Sequence, residues 1–348
     1  MATQYIEKFT NVSSIPSSTN SATGIGVVGD NLYVGGARVA QEGVFGDHWY
    51  IAQSDYSGAD TNDGKSFDKP FATWTKVFDK IGRGDVIHLY GNVASKAAGE
   101  TTPQGATDVT VIGHGTRPRN GHTSIPLGPK GGAAEWAANS SATGPNLDVT
   151  QQGWKFHNIF FNGHADYPIV KFTNDTTGTL TVTSKNPSHP EFVGCTFAGP
   201  STYGIQASGG VANMGIYGCT FYGFETAGNV AIGTIVGAGA GQNIMWQIYN
   251  NRFMSNVNDI KANLFNAEIV GNHFHLISDI ITAGFTNTVA IDATGGVVGQ
   301  GLRNWVALNH MYGAQNHNGV NARFVPGSGD MFAENYWSDI AEYGEPAS

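Results

Sequence analysis

From residue 153 onward the chain repeats one short pattern of apolar and polar positions seven times: an apolar residue, two free positions, Asn or Cys, one free position, then a large apolar residue. The centres are Asn158, Cys195, Cys219, Asn251, Asn272, Asn309 and Asn335. Two positions later stand Phe160, Phe197, Phe221, Phe253, Phe274, Met311 and Trp337. Three positions earlier stand Phe192, Ile216, Ile248, Ile269, Val306 and Phe332, with Lys155 the exception in the first repeat. The centres lie 21 to 37 residues apart, so a fixed core alternates with a loop of variable length. Solenoids have this layout, because no unit buries its apolar face alone and insertions go to surface loops.

The physical reading is an all-β fold: a right-handed, single-stranded parallel β-helix. Each centre is expected to mark a sharp bend between two short strands of one coil. Asn suits a bend, since its short amide tolerates the left-handed backbone region and bonds nearby peptide groups. Stacked coil on coil, the amides would form an internal ladder, with the flanking Phe and Ile residues stacked beside it. Cys195 and Cys219 occupy successive rungs. Cys is small, buries readily and donates weakly, so both are expected to be buried, reduced and structural.

Three further segments organise the chain. Residues 1–45 are rich in Ser, Thr, Asn and Gly, and are expected to form an N-terminal arm or attachment segment. Residues 46–348 form the β-helix domain, with a capping motif at 49–91, a long loop at 115–150 and ladder rungs over 153–340. Within the capping motif Phe71, Trp74, Val77, Phe78 and Ile81 share one helical face. Such a helix would cover the open end of a solenoid, whose first coil otherwise presents unpaired edges and a bare core. A Trp49-Tyr-Ile strand, the loop Gly58-Ala-Asp-Thr-Asn-Asp-Gly64, the helix start Pro70-Phe-Ala-Thr and the strand Gly84-Asp-Val-Ile follow in order. That order resembles the N-terminal cap of pectate-lyase-like right-handed β-helix proteins. The resemblance covers the scaffold over roughly residues 49–340 and does not extend to an active site. The chain lacks the lyase family's Trp-x-Asp-His strand and the paired Asp-Asp of polygalacturonases. The stretch from Gly24 to Val34 resembles those preceding β-helices in tailed-bacteriophage virion proteins.

Composition narrows the function. Gly reaches 48 residues, charged residues are only 13% and aromatics 11%, as suits a turn-rich all-β chain. Net charge is −9 without a Lys/Arg cluster, which excludes phosphate-neutralising nucleic-acid binding. The most apolar windows, such as 231–235 and 277–285, are too short to span a bilayer. The N-terminus carries no basic region followed by an apolar stretch, so no secretory signal is expected.

Candidate chemistry is sparse. The loop from Asp55 to Asp68 lacks EF-hand spacing, and its Asp60, Asn62 and Asp63 read as Asx turns ahead of the helix. His273 and His275 flank Phe274 and are expected to face outward around it. No metal, no cofactor and no committed catalytic set are assigned. Glycoside cleavage needs two carboxylates at fixed separation. If the chain cleaves glycans, Asp259 and Asp279 are the acid pair, since they follow successive centres by eight and seven residues. Glu191, Glu225 and Glu268 are secondary, with Lys261 and Arg252 near Asp259 in sequence. Trp136, Tyr167, Tyr203 and Trp305 are read as loop aromatics expected to stack on sugars.

Three functions compete. The first is a non-enzymatic structural or attachment protein of a bacteriophage virion, a capsid-surface decoration or spike protein. It would bind other virion proteins through residues 1–45, form a homotrimer, and insert into no membrane. Little room is expected after Asn335 for a separate C-terminal module. The second is a carbohydrate-active enzyme, a polysaccharide lyase or glycoside hydrolase such as a tailspike depolymerase. The third is a non-catalytic adhesin for cell-surface glycan.

Overall fold

The structure is a computed structural model that describes residues 25–28, 31–34, 37–38, 46–115, 134–174, 185–226, 228–235, 243–275, 289–294, 303–312, 324–325, 327–337 and 342–343. Three long sheets run through it, and successive coils add one short strand to each in the order A, B, C. Sheet A has ten strands, from His48–Ala52 and Val86–Tyr90 to Met331–Ala333. Sheet B also has ten, from Asn92–Ala94 to an antiparallel Glu342–Tyr343, and sheet C has eight, from Glu100–Thr101 to Phe324–Val325. Neighbouring strands of one sheet are parallel and joined through the other two sheets. This is the right-handed parallel β-helix, the hand that twisted strands favour for parallel crossovers.

Most strands of sheets A and B hold three residues, outward, inward, outward, as in Gln247–Tyr249 and Glu268–Val270. Register is kept from coil to coil. On the inner side of sheet A, Phe192, Ile216, Ile248, Ile269, Val306 and Phe332 stand in one row. Inside sheet B, Phe161, Phe197, Phe221, Phe253 and Phe274 stack with ring centroids 5.0, 4.7, 5.0 and 4.8 Å apart.

A two-residue bend joins sheet A to sheet B. Its first residue is left-handed, at φ 63° in Gly194, 55° in Asn250, 68° in Gly271 and 56° in Leu308. Its second residue points inward and carries the ladder. The left-handed conformation therefore belongs to the residue before the ladder Asn and not, as expected, to the Asn itself. Asn251, Asn272, Asn309 and Asn335 are fully buried. Asn251 Nδ2 donates to Asn272 Oδ1 at 3.0 Å, Asn272 Nδ2 to Asn309 Oδ1 at 3.0 Å, and Asn309 Nδ2 to Asn335 Oδ1 at 2.9 Å. Each oxygen also accepts the backbone N–H of the preceding rung. Cys219 and Cys195 continue the ladder as free, buried thiols whose Sγ atoms donate to Phe192 O at 3.5 Å and Phe156 O at 3.2 Å.

Asn158 is not a rung. It is exposed at φ 56°, in the left-handed place of the bend, and the buried ladder position is Ile159. Phe156 pairs with Phe192 and Phe161 with Phe197, while Phe160 lies on the outer side. The anomalous Lys155 vanishes with this shift, because slipping a strand by one residue exchanges its two faces.

A second bend precedes each sheet-A strand and repeats the device. Asn213, Met245, Asn266 and Arg303 are left-handed, at φ 55°, 55°, 51° and 58°, and the residues after them are buried. Within 115–150, expected to be one long loop, Glu135–Ala137 is a strand of sheet B and Leu147–Val149 a strand of sheet C. Residues 116–133 lie outside the described residues.

The cap follows the sequence expectation. Phe71, Trp74, Val77, Phe78 and Ile81 are buried around the short helix Trp74–Phe78. Trp74 stacks on Trp136 at 3.5 Å between centroids, and Phe78 packs edge-on against Trp136 and Trp154. Asp60 holds the helix start, accepting from Ala72 N at 3.0 Å, Thr73 N at 3.1 Å and Thr73 Oγ1 at 2.8 Å. Asp63 accepts from Lys65 N as an Asx turn, while Asn62 ties the loop together by donating to Ser57 O and Pro70 O. In the expected arm, Ile25–Val28, Asn31–Val34 and Ala37–Arg38 form a three-stranded antiparallel sheet.

Candidate functional site

Side chains that leave the β-helix stand in columns, one residue per coil, and columns place residues far apart in sequence side by side. One column on sheet A runs Lys155, Glu191, Gly215, Gln247, Glu268, Trp305, Met331. The next runs His157, Val193, Tyr217, Tyr249, Val270, Ala307, Ala333. Where these columns pass Glu268, the face opens into a groove of about 390 Å³ lined by Tyr249, Asn250, Glu268, Val270 and Trp305. Val270 and Glu268 form its floor. Tyr249 and Trp305 stand one coil to either side and two residues apart along the strand, about 12 Å apart at the usual strand spacing and rise. Trp305 remains 42% exposed, a large apolar surface beside the groove.

The face beside the groove is prepared. Tyr217 lies flat over Gly215, where a Cβ would stand 2.5 Å from its ring, and donates its hydroxyl proton to Gln247 Oε1. Its ring is 5.8 Å from that of Tyr249. Burial raises the hydroxyl's pKa, and the carboxylates of Glu191 and Glu268 raise it further, so the face carries a negative field. Glu191 is met on its other side by His157 Nε2 at 3.5 Å.

The expected site residues do not converge. Asp259 is buried in the sheet-C strand Asn258–Lys261, and its Oδ1 accepts from Asn256 Nδ2 at 2.9 Å. Asn256 in turn bonds the backbone at Phe221 O and Phe224 N, so Asp259 belongs to an internal corner. Asp279 lies outside the described residues. Lys261 is on sheet C and Arg252 on sheet B. Glu225 is exposed in the turn between sheets B and C.

Of the four expected aromatics, Trp305 alone lines the groove. Trp136 is fully buried, donates to Ser95 Oγ at 2.8 Å and belongs to the cap contact. Its place among loop aromatics is corrected: a ring so large, flanked by the alternation of a strand, goes inward. Tyr203 is half-buried on sheet C with its ring over Gly233, and Tyr167 lies in the turn after sheet B beside His164. The sequence reading missed Tyr217, Tyr249 and Gln247. Ile216-Tyr217 and Ile248-Tyr249 directly precede two ladder bends, and this repeated Ile-Tyr is the signal that pairs the two rings.

Two other outward clusters carry perturbed groups. On sheet A near the cap, His48 Nδ1 and His88 Nε2 are 2.8 Å apart, as are His88 Nδ1 and His114 Nε2. Burial, with His114 and His48 alongside, lowers the His88 pKa to about 4. On sheet B, His273 and His275 face outward about the buried Phe274. Burial, with Arg252, His273 and His310 nearby, lowers His275 to about 4. Among the described residues no group of three or more His, Cys, Asp or Glu side chains is arranged to hold a metal ion.

No family model and no curated protein matches the chain. Solved structures do. A GH136 lacto-N-biosidase from Eubacterium ramulus is similar over 84% of this chain and 56% of its own, with 11% identity and a TM-score of 0.49. The chain thus spans little more than half of that protein's length. The pectate lyase Pel9A is similar over 84% of this chain and 75% of its own, with 11% identity and a TM-score of 0.45. The Dettilon tailspike protein is similar over 83% of this chain and 67% of its own, with 14% identity and a TM-score of 0.33.

Proposed function

We propose that this chain is a non-enzymatic structural and attachment protein of a bacteriophage virion, a capsid-surface or spike component that holds glycan on the outer face of sheet A. The observation that carries the glycan part is the groove. It offers two aromatic walls, an amide at Asn250 and one carboxylate, a set that binds and orients a sugar. Hydrolysis needs more. Paired carboxylates stand about 5–5.5 Å apart in retaining enzymes and about 6.5–9.5 Å apart in inverting ones. Glu191 and Glu268 are three coils apart, about 14 Å at the usual strand spacing, and Asp259 is turned into its corner. In this reading residues 1–45 attach the β-helix to other virion proteins, and the chain acts as a homotrimer. The resemblance of Gly24 to Val34 to phage virion proteins supports that placement.

Two measurements test it. Quantitative mass spectrometry of purified particles should find this chain in fixed ratio to the major capsid protein, and its absence from any particle would remove the virion assignment. Purified protein should bind host-surface glycan without releasing new reducing ends or unsaturated products, and Trp305→Ala should weaken the binding roughly tenfold or more. The second reading, a depolymerase, is favoured by Glu268 in the groove. It predicts product release that Glu268→Gln stops and Asp259→Asn leaves running.

A further inference from the structure

Resting on the reading of the sheet-A groove as a glycan site, we propose that it takes uncharged hexose residues, neutral or N-acetylated, and excludes polyuronates. Among the described residues the only charged side chain lining it is Glu268. Glu191 lies on the same column, and the two together act on Tyr217 between them, so negative potential extends over several coils of the face. Lys155 heads this column but stands four coils from Glu268, about 19 Å at the usual spacing, with Glu191 between them. A uronate carboxylate placed about 4 Å from Glu268 would lose roughly tenfold or more in affinity to like-charge repulsion. An uncharged pyranose meets the opposite conditions. Its C–H faces pack on Tyr249 and Trp305. Its hydroxyls donate to the Glu268 carboxylate, and the Asn250 amide serves a hydroxyl or an N-acetyl group as donor or acceptor.

A cation close to Trp305 in the chain makes the opposite outcome readable. Arg303 occupies the exposed left-handed corner two residues before Trp305. An acidic glycan would anchor there, whereas an uncharged one has no need of it.

The test is isothermal titration of the full chain with N-acetylchitohexaose, maltohexaose, hexagalacturonate and a chitosan hexamer, repeated on Trp305→Ala, Glu268→Gln and Arg303→Ala. All three side chains are exposed, and circular dichroism of each variant is the check that it keeps the wild-type fold. The expected result is binding of at least one uncharged hexamer and none of hexagalacturonate at the same concentration. Trp305→Ala should weaken it roughly tenfold or more, Glu268→Gln roughly fivefold, and Arg303→Ala not at all. Tighter binding of hexagalacturonate, lost in Arg303→Ala, overturns the charge assignment and leaves the glycan reading standing. Preference for the chitosan hexamer, lost in Glu268→Gln, overturns it in the other direction. Binding of no probe by the wild-type chain removes the glycan reading itself, and this inference with it.

Discussion

Replacing Asn272 by Ala tests whether the amide ladder holds the coils together. The Asn272 side chain is fully buried and makes four hydrogen bonds. Its Oδ1 accepts from Asn251 N at 2.9 Å and Asn251 Nδ2 at 3.0 Å, and its Nδ2 donates to Ile248 O at 2.8 Å and Asn309 Oδ1 at 3.0 Å. In the Ala variant Asn309 Oδ1 keeps the Asn272 N–H, and one Asn251 amide hydrogen keeps Ile216 O. Two buried groups lose their partners, the Asn251 N–H and the second Asn251 amide hydrogen, while Ile248 O keeps its ladder partner on the next coil. At about 1–3 kcal/mol for each orphaned group, less what a trapped water restores, the expected loss is about 2–5 kcal/mol. That is a large share of the stability of an ordinary domain. The assay is guanidinium unfolding followed by intrinsic fluorescence, with native-state hydrogen exchange at the Asn251 and Asn272 amides to detect local opening between coils. Asn272→Cys should lose about half as much, since Cys219 shows that a thiol in this place still donates to the coil before it. A loss below about 1 kcal/mol in Asn272→Ala, with unchanged exchange, would refute the ladder argument. Asn158→Gly is the contrasting variant. Asn158 is exposed and left-handed, so it should shift stability by no more than about 1 kcal/mol, and toward greater stability.

Three further outcomes follow from particular contacts. Gly215→Ala should lift the Tyr217 ring off the sheet and break its bond to Gln247, read as a lowered Tyr217 pKa in ultraviolet titration; an unchanged titration would mean the ring does not rest on Gly215. Asp60→Ala removes three hydrogen bonds at the start of the capping helix and should cost about 2 kcal/mol, with faster exchange confined to the cap; global exchange at an unchanged rate in the cap would contradict this. The fold should also weaken in acid. Burial lowers the pKa of His88 and His275 to about 4, so the folded chain holds these rings neutral where the unfolded chain would protonate them. Stability is therefore full above pH 6.5 and falls as pH drops from 6.5 toward 4. Both rings are about half exposed, so screening leaves about 1 kcal/mol each, and His88→Gln should flatten its part of the slope in pH-dependent unfolding.

Some of the site was legible in one dimension. Trp305 and Glu268 both stand among the sequence candidates on residue type alone, an aromatic to stack on sugar and a carboxylate for acid chemistry. That they share a groove could not be read. They lie 37 residues apart in sequence and touch only because Glu268 and Trp305 occupy one register position in successive coils. Asp259 misled for the same reason. Its spacing from the ladder suggested an outward acid, but the corner before its strand turns it toward Asn256, and corner geometry leaves no periodic trace. Asn158 fails differently, since a motif match outweighs the local alternation that sends Ile159 inward, and Trp136 because the Pro- and Gly-rich sequence before it reads as loop although Glu135–Ala137 is a strand.

The sequence by itself determined the kind of fold, its capping helix and nearly every rung of its interior. These rest on burial, and burial leaves a periodic record: Phe, Ile and Asn recur at fixed offsets from each bend because each coil must present the same inner surface to the next. Tertiary structure alone decided the outer face. There neighbouring residues come from different coils, separated by loops of unequal length, and no packing constraint repeats. The union of Tyr249, Glu268 and Trp305 depends on how many residues each loop consumes before the chain returns to sheet A, a length that pattern leaves free and only the closed coil sets.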